Sequence, residues 1–235
     1  MPGDPFRILR LGRVPYDEAL ELQTTLLERR QRGGIDDTIL LLEHPPVITL
    51  GRRGNLGNIL ADESDLEARQ IAVRRVGRGG DVTYHGPGQL VGYWICALRR
   101  WNDDVGRFVS SIEKTVIRAL RAYGIEGRRV TKLRGVWCPV PGSPELEKIA
   151  SIGVGIKRWV SYHGFALNVT TDLSEFDTII ACDLPGKRMT SMARLLGRDI
   201  PLSEVEDAVA AALPDVLGGP LVKDEKIPAA AASTF

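Results

Sequence analysis

Two long apolar runs, Ile149–Ile156 and Trp159–Val169, are separated by only Lys157-Arg158. A connection that short joins antiparallel neighbours, because parallel neighbours need a crossover of a dozen or more residues. The pair therefore predicts a hairpin and excludes an all-parallel sheet. Further strand-like runs lie at Phe6–Leu11, Thr38–Leu42, Val47–Leu50, Ile71–Val76, Leu90–Leu98 and Val136–Val140. Strands outnumber helices and do not alternate strictly with them, which predicts an α+β fold with a mixed or antiparallel β-sheet flanked by helices.

Three stretches have helical periodicity. In Tyr16–Gln31 the residues Ala19, Leu22 and Leu26 form one stripe, Asp17 and Glu18 favour the start, and Gly33-Gly34 ends it. Val105–Tyr123 presents Phe108, Val109, Ile112, Val116, Ala119 and Leu120 on one face, with Asp103 or Asp104 as cap and Gly124 as terminator. The third, Ser203–Leu213, is expected to open with a capping box of Ser203 and Glu206 and to close before Pro214. The expected organisation is one catalytic domain over residues 1–213 and a Gly/Pro/Ala-rich C-terminal tail over 214–235, partly disordered.

The 31 Lys plus Arg against 30 Asp plus Glu give no bulk charge that would point to nucleic acid or a membrane surface. The arginine pairs Arg52-Arg53, Arg74-Arg75 and Arg99-Arg100 could gather on one face, although such pairs more often form solvated surface. Nothing near the N-terminus reads as a secretory or organelle leader, and no apolar run is long enough to span a bilayer. Three cysteines, an odd number without disulfide-like spacing, fit a reducing compartment, so the expected location is cytoplasmic.

Residues Gly77 to Gln89 hold five glycines in thirteen positions, so the backbone can turn sharply and approach a ligand closely. No helix is expected to begin there, and the segment has neither a Walker ending nor dinucleotide-binding spacing. Composition alone reads it equally well as a wide hairpin loop. Lys148 opens a run of small and apolar residues, a place where a lysine is usually a solvated strand end. Cys182 follows an apolar pair in a loop, whereas Cys96 and Cys138 sit inside strand patterns and read as small buried hydrophobes. His44, His85 and His163 are far apart in the chain and lack metal-ligand spacing, so no metal and no cofactor is expected.

Taken in order, Arg78-Gly79-Gly80 to Tyr84-His85-Gly86-Pro87-Gly88-Gln89, then Lys148-Ile149-Ala150-Ser151-Ile152-Gly153, then His163-Gly164-Phe165-Ala166-Leu167-Asn168, then Cys182 and Thr190-Ser191 resemble the lipoyl(octanoyl) transferases. The likeness runs from the first helix through Gly197. It implies a fold similar to the biotin- and lipoate-protein ligase catalytic domains. It also implies transfer of an octanoyl group from octanoyl-acyl carrier protein to a lysine of lipoyl domains in 2-oxoacid dehydrogenase E2 subunits and of the glycine-cleavage H protein. Cys182 is implied as the thioester nucleophile and Lys148 as its acid–base partner. An acyl pocket is implied from Arg78, Gly79, Gly80, Asp81, Val82, Thr83, Tyr84 and His85, from Ser151, Ile152 and Gly153, and from His163, Gly164, Phe165 and Ala166. Small residues at Gly79, Gly80, Ala150, Gly153 and Gly164 would leave room for the alkyl chain.

One departure stands at the nucleophile. The family commonly reads Pro-Cys-Gly, and this chain reads Ala181-Cys182-Asp183. A carboxylate beside a thiolate tends to raise the thiol pKa. Exchanging a thioester for an amide is downhill and needs no ATP. Two other readings remain: an ATP-dependent lipoate ligase of the same fold, which has no use for a nucleophilic cysteine, and a non-catalytic acyl-binding module.

Overall fold

A computed structural model describes residues 4–142, 145–180 and 188–228. Its strands are β1 (Phe6–Arg13), β2 (Asp37–Glu43), β3 (Val47–Leu50), β4 (Ala72–Arg75), β5 (Val82–His85), β6 (Gln89–Ile95), β7 (Arg128–Val130), β8 (Leu133–Pro139), β9 (Leu146–Lys157), β10 (Val160–Asn168) and β11 (Leu221–Lys226). The helices are α1 (Tyr16–Gln31), α2 (Glu63–Ala68), α3 (Val105–Arg121), α4 (Met192–Leu196) and α5 (Leu202–Leu217). One sheet has the order β11-β1-β2-β6-β10-β9-β8-β7, and a smaller one has the order β4-β3-β5. Both are mixed: β1 runs parallel to β2 and β11, β3 runs parallel to β4, and the remaining pairs are antiparallel.

The period of two in the strands divides the core. In β2, Ile39 and Leu41 enter one cluster with Phe108, Ile112 and Val116 of α3 and Val205, Val209 and Leu213 of α5. Their neighbours Leu40 and Leu42 enter the opposite cluster with Ala19, Leu22 and Leu26 of α1. The large sheet is thus covered on both faces, and burial of each such side chain stabilises the fold by about 1.5–3 kcal/mol. A third cluster, with Ile48, Leu50, Val82 and Tyr84, packs the small sheet against Phe176 and Ile179.

The expected helices over Tyr16–Gln31 and from Val105 are present, and the Asp104 side chain caps α3 by accepting from Arg107 N. The expected start and stop of the third helix are not. Ser203 lies inside α5, the position before the helix is Pro201, and no side chain caps it. Pro214 stands within α5, which continues until Gly218 takes φ +66°. The ring forfeits one helical hydrogen bond, but Leu217, one turn after Leu213, extends the buried stripe. Beyond it β11 pairs with β1, so residues 221–226 belong to the large sheet. The β9–β10 hairpin forms as expected, with the turn at Arg158 and Trp159, both at positive φ. The strand expected to reach Leu98 stops at Ile95, and a 3-10 turn takes Leu98–Trp101. No helix among the described residues is long and apolar enough to cross a membrane.

Candidate active site

The Gly-rich stretch is not a loop throughout, because β5 lies inside it and pairs with β3. The turn before β5 is fixed on both sides. Gly79 N donates to Val154 O on β9 at 2.8 Å, and Arg78 donates from Nη2 to Thr49 O at 2.6 Å. This holds the turn before β5 against the middle of β9, and the turn, β5 and the middles of β9 and β10 border a cleft of about 460 Å³, water at its mouth included.

Arg78, Gly79, Gly80, Asp81, Thr83 and His85 line one wall of the cleft. Ser151, Ile152 and Gly153 from β9 and His163, Gly164, Phe165 and Ala166 from β10 line the other. Val82 and Tyr84 do not reach it. On a strand they alternate with Thr83 and His85, so they point into the small-sheet core, where Tyr84 meets the Phe176 ring edge-on at 5.6 Å. Ala150 is also elsewhere, fully buried in the core beneath α3. Nor do the glycines simply leave space for a ligand: a Cβ on Gly153 would lie 2.9 Å from Arg78 Cδ, and one on Gly164 would lie 2.1 Å from Gly92 O. Their missing side chains admit neighbouring protein atoms. Two lining residues lie outside the ordered motifs and carry no local signal of a site, Tyr16 at the first turn of α1 and Tyr93 on β6.

The three histidines, distant in sequence, gather beside this cleft: His85 and His163 line it, and His44 is buried next to them. The His44 and His85 rings are 5.9 Å apart, and Tyr93 lies 5.8 Å from both His44 and His163. Val14 O can only accept, so His44 Nδ1–H donates to it at 2.7 Å, and Nε2 is hydrogen-bonded to the Tyr93 hydroxyl at 2.7 Å. His44 is fully buried. Burial holds its pKa down at about 4 and those of His85 and His163 at about 3; nearby positive groups, Arg78 among them, add to the effect at the last two. His85 Nδ1 donates to Gln89 Oε1 at 2.8 Å, Gln89 Nε2 donates to Asn168 Oδ1 at 2.9 Å, and Asn168 Nδ2 donates to Thr190 O at 3.0 Å. Thr190 N in turn donates to Lys148 O at 2.9 Å. Among the described residues no set of three His, Cys, Asp or Glu side chains is arranged to hold a metal ion.

Lys148 is not a solvated strand end. It lies third in β9, is 4% exposed, and is flanked by β8 on one side and the 188–190 segment on the other, with Lys148 N donating to Arg188 O at 2.9 Å. Its Nζ sits 5.5 Å from the centroid of Trp137, its partner on β8. Gly135, at φ +116°, leaves the space its stem occupies. Gly135 N donates to the buried Glu113 carboxylate at 3.2 Å. Lys148 faces a second cavity of about 1010 Å³, open water included, which shares Gly79, Gly80, Asp81, Ile152 and Gly153 with the cleft. An apolar slot and an amine thus adjoin across one strand.

Cys182, with Ala181, Asp183, Pro185 and Gly186, lies outside the described residues. The residue two positions before it is anchored: Ile180 N donates to Asn58 O at 2.8 Å. Asn58 is held by Asp81, whose carboxylate accepts from Asn58 Nδ2 and from Asn55 N, the latter at 2.8 Å. Glycine-loop geometry is in this way passed to residue 180.

Residues 15–214 match the family described as the lipoyl protein ligase A/B catalytic domain. A protein of Solibacter usitatus named octanoyltransferase is 54% identical over 186 residues, 79% of this chain and 81% of its own. One of the same name from Myxococcus xanthus is 46% identical over 203 residues, 86% of this chain, which spans 57% of that protein's length. Among solved structures, a bipartite lipoate protein ligase from Thermoplasma acidophilum shares 18% identity at a TM-score of 0.73, covering 98% of this chain and 91% of its own. Lipoate-protein ligase A bound with ATP shares 18% at 0.70, covering 100% and 93%. At these identities the structural likeness is one of fold.

Proposed function

The chain belongs to the lipoyl protein ligase A/B catalytic domain family as an acyltransferase of the octanoyltransferase kind, and from that premise we propose how it works and on what. It takes an octanoyl group from octanoyl-acyl carrier protein onto Cys182 and delivers it to a lysine of a lipoyl domain, in the cytoplasm. The observation that supports this most is the junction at Ile152–Gly153, where a slot for an alkyl chain meets the cavity that holds Lys148.

In the first half-reaction the Cys182 thiolate attacks the donor's thioester carbonyl. The tetrahedral adduct then collapses, the carbon–sulfur bond to the carrier breaks, and the Lys148 ammonium gives the departing thiolate its proton. In the second, the acceptor lysine amine attacks the Cys182 thioester. Neutral Lys148 takes the proton that the amine must lose, and the Cys182 thiolate is released. One thioester is consumed and one amide formed, with no nucleotide in the balance. The alkyl chain is held by burial against Ile152, Phe165 and Ala166, at about 0.8 kcal/mol for each CH₂. The neutral histidines add no charge that would oppose an apolar chain.

Intact-protein mass spectrometry after mixing with octanoyl-acyl carrier protein tests this. A single octanoyl adduct is expected, released by hydroxylamine, discharged by apo lipoyl domain and absent from Cys182→Ala. Normal turnover by Cys182→Ser or Lys148→Ala would sink the reading. Transfer that needs ATP and free octanoate would replace it with the ligase, and retention of octanoate without turnover with the binding module.

A further inference from the structure

The cavity at Lys148 has a cationic rim with no carboxylate partner among the described residues. Arg53, Lys132 and Arg134 line it, and no carboxylate among the described residues lies within 4.0 Å of any of the three side-chain cations. Arg129 adjoins them in the next recess, with Lys132 and Arg134 again in its wall. The acids at hand are engaged: Asp81 accepts from Asn55 and Asn58, and Glu113 accepts from Gly135 N. Composition does not force this, since the chain carries 31 basic and 30 acidic residues. Many exposed arginines elsewhere are matched, as Arg74 is with Asp17 at 2.9 Å, Arg99 with Asp4 at 3.1 Å and Arg118 with Asp215 at 2.7 Å. Gathering like charges around one recess costs free energy that an anion entering it would offset.

The rim is also mechanically tied to the reacting centre. Lys132 sits in the turn between β7 and β8, at φ +66°. Arg134 directly precedes Gly135, the residue against which the Lys148 stem packs. An anion held there stands at a set position relative to Lys148. We propose that Arg53, Lys132 and Arg134 form a phosphate-ester subsite. It takes the phosphate of a phosphopantetheine arm, the flexible link that carries an acyl thioester on a carrier protein, while the thioester reaches Lys148. Guanidinium forks match phosphate oxygens in two-point hydrogen bonds, and the ammonium adds a point charge. The inference rests on the octanoyl-transfer reading for the identity of the arm, and the subsite itself is open to a binding measurement.

Titration calorimetry on the intact chain at low salt, with 4′-phosphopantetheine, pantetheine and inorganic phosphate as separate probes, decides it. The phosphorylated arm is expected to bind about tenfold or more tightly than either other probe. That preference should shrink in Arg53→Ala and Arg134→Ala, disappear in the triple alanine variant with Lys132→Ala, and persist largely in Arg134→Lys, which keeps the charge. High salt should reduce it as well, because the rim is exposed. Equal binding of pantetheine, or a triple variant that keeps the full preference, would overturn the subsite. Inorganic phosphate binding as tightly as the arm would overturn it too, in favour of a free-anion site. Turnover assays separate the two claims. A chain that shows the preference but never transfers octanoyl loses only the transferase reading. One that uses octanoyl-pantetheine as well as octanoyl-phosphopantetheine loses only the subsite.

Discussion

A Cβ added to Gly135 would lie 2.6 Å from Lys148 Cε and 2.5 Å from Ala150 O. The side chain proposed as acid and base is therefore placed by an absence on the neighbouring strand. Its ammonium can swing aside, but the Ala150 carbonyl belongs to the sheet and cannot.

Gly135→Ala should consequently both destabilise the chain, by more than about 1 kcal/mol at this positive φ, and slow acylation of Cys182. Glu113→Gln keeps an acceptor for Gly135 N and should be milder. Thermal melts alongside rapid-quench mass spectrometry separate the two effects; unchanged acylation in Gly135→Ala would remove its positioning role.

Asp81 reaches residue 180 through Asn58. Asp81→Ala leaves two donors without their acceptor, and a loss of about 1–3 kcal/mol is expected. The kinetic signature should be a lower acylation rate with an unchanged KM for the lipoyl domain. A KM effect alone would instead place Asp81 in acceptor binding.

Ile152 stands between cleft and cavity, and it is only partly buried. Ile152→Ala should widen the slot and raise the decanoyl-to-octanoyl ratio of kcat/KM, by about tenfold or more if each of the two added CH₂ groups gains about 0.8 kcal/mol. An unchanged ratio would show that chain length is measured elsewhere.

His44, His85 and His163 resist protonation in the fold and accept it freely once unfolded, near their ordinary value of 6.5. The unfolded chain therefore binds more protons between pH 6.5 and roughly 3–4, and stability is present above that window and lost as pH falls through it. With three groups the slope approaches about 4 kcal/mol per pH unit. Urea midpoints from pH 8 down to pH 5 should stay level at first and then drop steeply; a flat profile would mean that the histidines are solvated.

Asp37 is 1% exposed and accepts from Arg30 Nε at 2.8 Å, Arg100 Nε at 2.9 Å and Ala97 N at 2.9 Å. Asp37→Ala removes the carboxylate that pairs two little-exposed guanidinium groups and leaves Arg100 the carbonyls of Leu217 and Asp4. It should cost about 3–5 kcal/mol, read from denaturant unfolding. A loss below 1 kcal/mol would mean that water replaces the carboxylate.

These tests follow the line between what the chain states locally and what folding adds. Locally, the sequence excluded an all-parallel sheet, because the two-residue link between Ile156 and Trp159 leaves no room for a crossover. The parallel pairs of β1 with β2 and β11, which make the sheet mixed, appear only in the fold. The sequence also made α1 and α3 legible, because their apolar stripes repeat at the helical period. Its ordered motifs also picked out most of the cleft lining. It misread Pro214 because a proline's local penalty is visible in sequence, whereas the burial of Leu217 that outweighs it is not. Val82 and Tyr84 were drawn into the pocket by lying inside a motif, and only the strand's alternation turned them away. Only the packed fold shows that Lys148 is buried, that Gly135 and Trp137 seat it, that Tyr16 and Tyr93 complete the cleft, and that three cations with no carboxylate partner among the described residues line the Lys148 cavity. The physical reason is the same in each case: these relations join residues far apart in the chain, and no local propensity encodes a distance across strands.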